Sequence, residues 1–96
     1  MANTKLLTVN NTGDPESVTV QTVCREIIIG EDHSVGGWPT TDYIVRAPLK
    51  TSDAVQIQAG KFYAITSPPG RFFEPGDVPL FVETVSGTTT FFVDEH

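Results

Sequence analysis

The chain is poor in the residues that usually carry nucleophilic and metal-binding chemistry. Among its 96 residues there is one cysteine, Cys24, and there are two histidines, His33 and His96. A single cysteine cannot form an intrachain disulfide, a zinc ribbon or a CxxC redox motif. A disulfide framework is also unnecessary, because a domain of this length buries roughly 60 to 70% of the surface of its unfolded chain. We therefore expect one domain over residues 1–96, with the cysteine buried or in a reducing compartment.

Basic residues are also scarce. Six Lys and Arg residues oppose twelve Asp and Glu residues, which gives a formal net charge of −6. Nucleic-acid binding needs basic side chains gathered on one face, where they displace counterions. Here they are spread singly along the chain, as Lys5, Arg25, Arg46, Lys50, Lys61 and Arg71. Anionic lipid would repel such a chain for the same reason, so we expect neither nucleic acid nor a membrane as a partner.

Long apolar runs are missing as well. No segment approaches the roughly 20 apolar residues that a membrane-spanning helix needs. The apolar run that contains Leu6 and Leu7 is too short for the core of a signal peptide, and no small-residue cleavage site follows it. We expect a soluble protein made in the cytoplasm, which reaches another location only as part of an assembly.

The few candidate catalytic residues are poorly placed for catalysis. Glu31, Asp32 and His33 are three possible metal ligands, but ligands usually come from separate strands or from i, i+4 positions on a helix. A solvated acidic loop is the simpler interpretation. Cys24 lies in a Val/Ile-rich stretch, which is typical of a small buried hydrophobe, and no glycine-rich phosphate motif occurs. We expect no enzyme activity, no cofactor and no metal.

The sequence does contain short runs of Thr, Val, Ile and Phe, bounded by Gly, Pro, Asn and Asp. No window shows a sustained helical period. About seven or eight such runs recur at spacings of roughly 8 to 12 residues, which is an all-β pattern. It predicts a single-domain antiparallel β-sandwich, jelly-roll-like, with a small barrel as the alternative.

The first two runs carry specific expectations. Residues 6–9 form a first strand, either an edge strand or part of an N-terminal arm over residues 1–11, because a dense turn cluster follows at 10–15. The run from 16 to 29 changes its alternation between its Val and Ile residues. A bulge near residues 22–24, or passage of one segment between two sheets, would explain the change.

Two hairpins are predicted near the C-terminal end. Residues 55–58 and 61–66 flank Ala59-Gly60, and a second hairpin over residues 72–93 turns at Ser86-Gly87, where glycine supplies the positive φ of a tight turn. Both faces of the second hairpin are apolar, since Phe91 and Phe92 point to opposite sides. Its strands are therefore either central in the fold or covered by another subunit.

Several aromatic residues are candidates for contacts with a partner. Trp38 lies in the longest irregular stretch, residues 30–42, where an exposed indole either docks a sugar or protein or folds back as a cap. Phe72 and Phe73 are adjacent, so in an extended chain one of them points away from the core. The full set of candidate contact residues is Leu6, Leu7, Val9, Trp38, Tyr43, Phe72, Phe73 and Phe92.

Three segments together resemble small bacteriophage virion proteins: residues 55–65 (VQIQAGKFYAI), 73–77 (FEPGD) and 85–95 (VSGTTTFFVDE). In those proteins a strand, an Ala-Gly turn, a strand, a Ser-Gly hairpin and a terminal Thr/Phe strand recur. They are commonly capsid decoration or cement proteins, or head-tail and tail accessory proteins. The resemblance covers roughly residues 55–95, and the upstream half of the chain has no counterpart in it.

The resemblance implies a non-enzymatic structural protein of the virion. Such a protein binds the major capsid protein or another virion protein, often as a homotrimer, and many copies together stabilise the shell. The arm over residues 1–11 could add a strand to an exposed edge of the shell protein. That arm and the loop over residues 30–42 are the contact surfaces that we expect.

Two other functions stay open at this point. The chain could be a carbohydrate- or receptor-binding accessory module that uses Trp38 and Tyr43. A small cupin-like metalloenzyme is the weaker of the two, because that chemistry typically needs two histidines and a carboxylate on facing strands.

Overall fold

This computed structural model describes residues 3–11, 13–32 and 41–96. The regular secondary structure in these ranges consists of β-strands alone. Nowhere in these ranges is there a helix with the length and apolar character needed to cross a membrane. In chain order the strands are β1 (Asn3–Asn10), β2 (Glu16–Val18), β3 (Glu26–Glu31), β4 (Tyr43–Arg46), β5 (Val55–Ile57), β6 (Tyr63–Thr66), β7 (Leu80–Thr84) and β8 (Thr88–Glu95).

These strands form two four-stranded sheets. The first sheet has the order β1-β8-β3-β6 and the second sheet has the order β2-β7-β4-β5. Every neighbouring pair is antiparallel. Apart from β4 and β5, consecutive strands lie in opposite sheets, and this winding of eight strands is that of a jelly roll. The predicted all-β sandwich is confirmed, and two separate sheets exclude the barrel alternative.

Both predicted hairpins are wrong. β5 pairs with β4 in the second sheet whereas β6 pairs with β3 in the first, and β7 and β8 are likewise in different sheets. The links between them are corners, in which Gly60 and Gly87 have φ values of +85° and +68°. A glycine at positive φ serves a corner as well as a hairpin, so these local turn signals do not distinguish the two.

The change of alternation between residues 16 and 29 marks a passage between sheets. β2 belongs to the second sheet and β3 to the first, so the second of the two sequence-based explanations holds. Val18 and Ile27 each point into the core from their own sheet, and both are buried. Cys24 lies in the connecting segment and is also buried, as its apolar neighbours predicted.

The core lies between the sheets and is filled by one face of each strand. β8 is central in the first sheet, between β1 and β3, and β7 is central in the second, between β2 and β4. Phe91 is therefore buried while Phe92 lies on the outer face and is partly exposed. The buried apolar side chains are Val9, Val18, Val20, Cys24, Ile27, Ile29, Tyr43, Val45, Phe73, Leu80, Val82, Phe91 and Val93.

The Glu95 carboxylate holds the segment that links β2 to β3. It accepts hydrogen bonds from the backbone N–H groups of Gln21 (3.0 Å) and Thr22 (2.8 Å) and from the Thr22 hydroxyl (2.7 Å). The Lys5 ammonium lies 3.8 Å away. Burial alone would raise the pKa of Glu95, but the bonds from Thr22 and Gln21, with the Lys5 charge, outweigh it and lower that pKa.

β1 is an edge strand of the first sheet. It pairs with β8 along its whole length, from Asn3 opposite Glu95 to Asn10 opposite Thr88. Its odd-numbered residues from Lys5 to Val9 face inward, and its even-numbered residues face outward. The N-terminal segment that was considered as an edge strand or an arm thus supplies the outer strand of this sheet.

Candidate functional site

An apolar row crosses the outer face of the first sheet, perpendicular to its strands. Leu6 of β1 lies directly opposite Phe92 of β8, and Phe92 lies directly opposite Gly30 of β3. The ring of Phe62, just before β6, lies over Gly30. Leu6 is 60% exposed and Phe62 is 66% exposed. We call Leu6, Phe92 and Phe62, with Gly30 beneath them, the apolar row.

The close approach of the two rings explains why a glycine occupies the middle of this strand. A Cβ atom on Gly30 would lie 2.6 Å from Cδ1 of Phe62 and 2.7 Å from Cε2 of Phe92. Without it, the two rings meet edge to face, with their centroids 5.5 Å apart and an interplanar angle of 79°. This is a favourable aromatic geometry, so the pair is already arranged before any partner arrives.

Polar side chains flank the apolar row on both sides along the strands. The hydroxyls of Thr8 and Thr90 are 3.2 Å apart on one side. On the other side the Thr4 hydroxyl donates a hydrogen bond to the Asp94 carboxylate. An exposed apolar strip with a polar rim is the usual arrangement of a protein-binding surface.

The candidate contact residues divide between the surface and the core. Leu6 and Phe92 belong to the apolar row, and Leu7 is only partly buried against the core. Val9 is fully buried on the inner face of β1 and has no surface for a contact, so its proposed contact role is incorrect. Trp38 lies outside the described residues.

The adjacent phenylalanines separate as their spacing predicted. Phe73 is 8% exposed, and its backbone pairs with that of Cys24 in an isolated bridge, whereas Phe72 is 46% exposed. The contact role predicted for Phe73 is therefore incorrect, because its ring belongs to the core. Phe72 keeps an accessible ring, over which the Arg25 guanidinium lies 4.6 Å from the ring centroid.

Tyr43 is a core residue and is unavailable for ligand contact. It is fully buried, its ring meets that of Phe91 edge to face at 5.0 Å, and its hydroxyl donates a hydrogen bond to the Lys61 carbonyl. Burial and the nearby Glu31 carboxylate raise the pKa of Tyr43 far above its usual range. Its proposed contact role fails because β4 directs the side chain between the sheets.

Asp42, beside Tyr43, anchors the turn between β5 and β6. Its carboxylate accepts hydrogen bonds from the Gln56 side chain and the Ala59 N–H, each at 2.9 Å. The bonds from Gln56 and Ala59 lower the pKa of Asp42 and outweigh the opposing effect of its partial burial. The Asp42 carboxylate therefore has a structural role, which is to hold this turn in place.

A second surface feature is a groove around Phe72, with a volume of about 440 Å³. Arg71 and Asp77 contribute charge to it, and Phe73 forms part of its floor. Most of its remaining lining is apolar and comes from Ala47, Pro48, Ile65, Pro68, Val78 and Pro79. Two smaller depressions share Arg71 and Phe72 with it. The sequence pointed to Phe72 here but not to the proline-rich wall.

The described residues contain no group of three His, Cys, Asp or Glu side chains placed to hold one metal ion. Of the three candidate ligands, Glu31 lies at the end of β3 and is buried, so the solvated loop predicted for it is wrong, and His33 lies outside the described residues. Burial and the Glu95 charge raise the pKa of the Cys24 thiol, which reduces the fraction of reactive thiolate. Cys24 packs as an apolar side chain in the core.

Phe62 and Gly30 are the residues of the apolar row that the sequence interpretation missed. Phe62 lies in a segment expected to form a hairpin, and its neighbour in space is 32 positions earlier in the chain. One signal was present: a glycine within an Ile-rich strand marks a place where another group approaches the backbone closely.

Comparison with known proteins shows a fold relationship. No protein-family model matches the chain, and no curated protein matches it. A similar solved structure is described as "Crystal Structure of CoII HppE in Complex with Substrate". The match has a TM-score of 0.58 and 6% sequence identity, and it covers 99% of this chain and 44% of that chain. The chain thus spans less than half the length of that protein, and the likeness is one of fold alone.

Proposed function

We propose that this chain is a non-enzymatic structural protein of a virion, and specifically a phage capsid decoration protein that binds the capsid surface and stabilises it. Jelly rolls occur in viral capsid proteins, lectins and cupins, so the fold leaves the function open. The resemblance of residues 55–95 suggests the virion. The apolar row is the observation that carries the proposal, because it offers a surface for a protein partner.

The apolar row suits a contact that is made many times with modest strength. Its Phe62–Phe92 pair is prearranged over Gly30, so little side-chain freedom is lost when a partner covers it. Each contact is small, but a shell presents many equivalent positions, and the bridging of neighbouring subunits raises the effective affinity. Stabilisation of the shell follows because every bound copy links subunits that would otherwise separate.

Binding to particles tests the proposal. The wild-type chain and its variants are mixed with shells of the major capsid protein encoded in the same genome, and the bound fraction is measured by co-sedimentation. We expect saturable binding, and we expect Phe62→Ser to weaken it at least tenfold. Leu49→Ser is the control, because Leu49 is an apolar side chain of similar exposure (63%) that belongs neither to the apolar row nor to the candidate contact residues. Absence of binding, or an equal loss in both variants, contradicts the proposal.

The alternative of a carbohydrate- or receptor-binding module named Trp38 and Tyr43. Tyr43 is buried and offers no surface, so this alternative depends on Trp38 alone. A glycan array probed with the wild-type chain and with Trp38→Ala separates the two functions. Glycan binding that disappears in Trp38→Ala, with no binding to shells, would favour the alternative.

A further inference from the structure

The four edge strands of the sandwich differ in length. β2 and β5 each have 3 residues and β6 has 4, whereas β1 has 8. Natural proteins keep exposed edges short or protect them with charges, prolines or bulges, because an unpaired strand edge invites another strand. β1 contains no proline and no acidic residue. It is therefore the edge at which pairing with another chain meets least resistance.

The single charge of β1 does not protect this edge. Lys5 points inward, where its ammonium lies 3.8 Å from the Glu95 carboxylate and donates a hydrogen bond to the Thr19 carbonyl. An inward charge normally opposes pairing because it would become buried without a partner. Here Glu95 already neutralises it, so covering the edge leaves no isolated charge.

The ladder determines which backbone groups of β1 face outward. The Asn11 N–H donates to the Gly87 carbonyl at 3.0 Å, continuing the register of β1 with β8. In an antiparallel ladder, alternate residues direct their amide groups to the same neighbour. The odd-numbered residues of β1 thus bond to β8, and the even-numbered ones (Thr4, Leu6, Thr8 and Asn10) direct their N–H and C=O groups to the free edge. The Asp32 N–H to Thr90 carbonyl bond on the other side of β8 agrees with this phase.

From this edge we infer that two copies of the chain pair through β1, antiparallel about a two-fold axis at Leu6. Leu6 then lies opposite Leu6 of the second copy, Thr4 lies opposite Thr8 of the second copy, and Thr8 lies opposite Thr4 of the second copy. Each of these three pairs exchanges two backbone hydrogen bonds, about six in all. The two first sheets join into one continuous sheet, and the two apolar rows become one row that crosses the dimer.

A second copy is the occupant because the edge is complementary to itself. Two chains of net charge −6 repel each other, and β1 lacks the acidic side chains that would add to this repulsion where they meet. Every outward residue offers one donor and one acceptor, which a two-fold axis matches to the same groups of the partner. Leu6, 60% exposed in the single chain, gains an apolar neighbour of its own kind.

The size of the edge indicates a weak dimer. Eight extended residues span about 27 Å, and a contact along one strand covers only a narrow strip of each subunit. The buried area should therefore be no larger than the roughly 1,000 Å² that marks the lower limit for a specific interface. The dimer should therefore form in a concentration-dependent way. This inference stands on β1 and does not depend on the virion proposal, and its two-fold contact differs from the trimer that the resemblance implies.

Sedimentation equilibrium over a range of concentrations tests the pairing. We expect the wild-type mass to rise from 10.4 kDa towards twice that value. Thr8→Pro removes an outward N–H and places the ring at the edge, while leaving the bonds to β8 in place. It should raise the dimer dissociation constant at least tenfold. Thr8→Val is the matched control, because it alters the same side chain but keeps the N–H, and it should behave as the wild type.

Two further variants keep the test decisive. Leu6→Lys places two like charges opposite each other at the two-fold axis, so this variant should be monomeric. It serves as the test if Thr8→Pro does not fold. Phe92→Thr changes the outer face without touching the edge and should still dimerise. A wild-type chain that stays monomeric near 1 mM, a folded Thr8→Pro that dimerises normally, or a dimer lost only in Phe92→Thr would overturn the inference.

Discussion

The Thr22 backbone N–H and hydroxyl both donate hydrogen bonds to the Glu95 carboxylate, at 2.8 and 2.7 Å, although the two residues are 73 positions apart. Glu95 is 1% exposed, so this carboxylate is a buried polar anchor between β8 and the link from β2 to β3. Its hydrogen bonds, with the Lys5 ammonium, offset the cost of removing the charge from water.

Replacing Glu95 by glutamine should destabilise the fold. The amide cannot accept the same set of bonds, and it leaves the Lys5 ammonium without its neutralising charge. We expect Glu95→Gln to lower the free energy of unfolding by about 2 kcal/mol, measured by urea denaturation. Glu83→Gln is the control, because Glu83 pairs with Arg46 at 3.7 Å through side chains that are 16% and 30% exposed, so water still screens the pair and its loss should cost about 1 kcal/mol or less. Equal losses in the two variants would contradict the anchoring role.

The same anchor should make stability depend on pH. The folded-state pKa of Glu95 is lower than its unfolded-state value. Between these two pKa values the native state therefore binds fewer protons than the unfolded state, and stability rises with pH. Its contribution is thus fully present above the unfolded pKa, about 4.3, and is lost as the pH falls through the folded pKa. Urea denaturation between pH 3 and 7 should show wild-type stability falling more steeply than that of Glu95→Gln. Parallel profiles would contradict the lowered pKa.

Adding a methyl group at Gly30 should disturb the apolar row more than the fold. The atoms that a Cβ would meet are ring carbons of Phe62 and Phe92, which are partly exposed side chains that can move aside. We expect Gly30→Ala to lower the free energy of unfolding by about 1 kcal/mol. Its particle binding should fall as in Phe62→Ser. NMR contacts between the two rings should weaken, and unchanged contacts would contradict this account of the glycine.

The Tyr43 hydroxyl should matter for stability and not for binding. Tyr43→Phe removes the buried hydroxyl that donates a hydrogen bond to the Lys61 carbonyl, which should cost about 1 kcal/mol in urea denaturation. Binding to shells should be unchanged, because the side chain is inside the sandwich. A Tyr43→Phe variant with wild-type stability and reduced binding to shells would contradict this account and support a contact role for Tyr43.

The strands were predictable from the sequence because their signals are local. Runs of Val, Ile, Thr and Phe with period-two alternation identify extended segments, and the adjacent Phe72 and Phe73 require one ring to leave the core. The phase change between Val20 and Ile27 also carried real information, since it marks the passage between the sheets. Each of these inferences needs only neighbours along the chain.

The pairings and the surface were not predictable in the same way. Gly60 and Gly87 allow either a hairpin or a corner, and the choice depends on which sheet offers the next strand a partner. Glu95 resembles a solvated acid near the end of the sequence, and its partners at Gln21 and Thr22 become visible only when β8 lies beside the crossing segment. The alternation in β4 does not say which face is inner, so Tyr43 could be assigned to either side.

The position of β8 between β1 and β3 has a consequence for the time course of folding. Two of the three pairings in the first sheet involve β8, so that sheet cannot assemble until residues 88–95 have left the ribosome. Until then β1 and β3 lack β8, the strand that pairs with both of them, and their edges are exposed on the nascent chain. Folding should therefore be slow for a domain of this size, because closing such distant contacts is entropically costly.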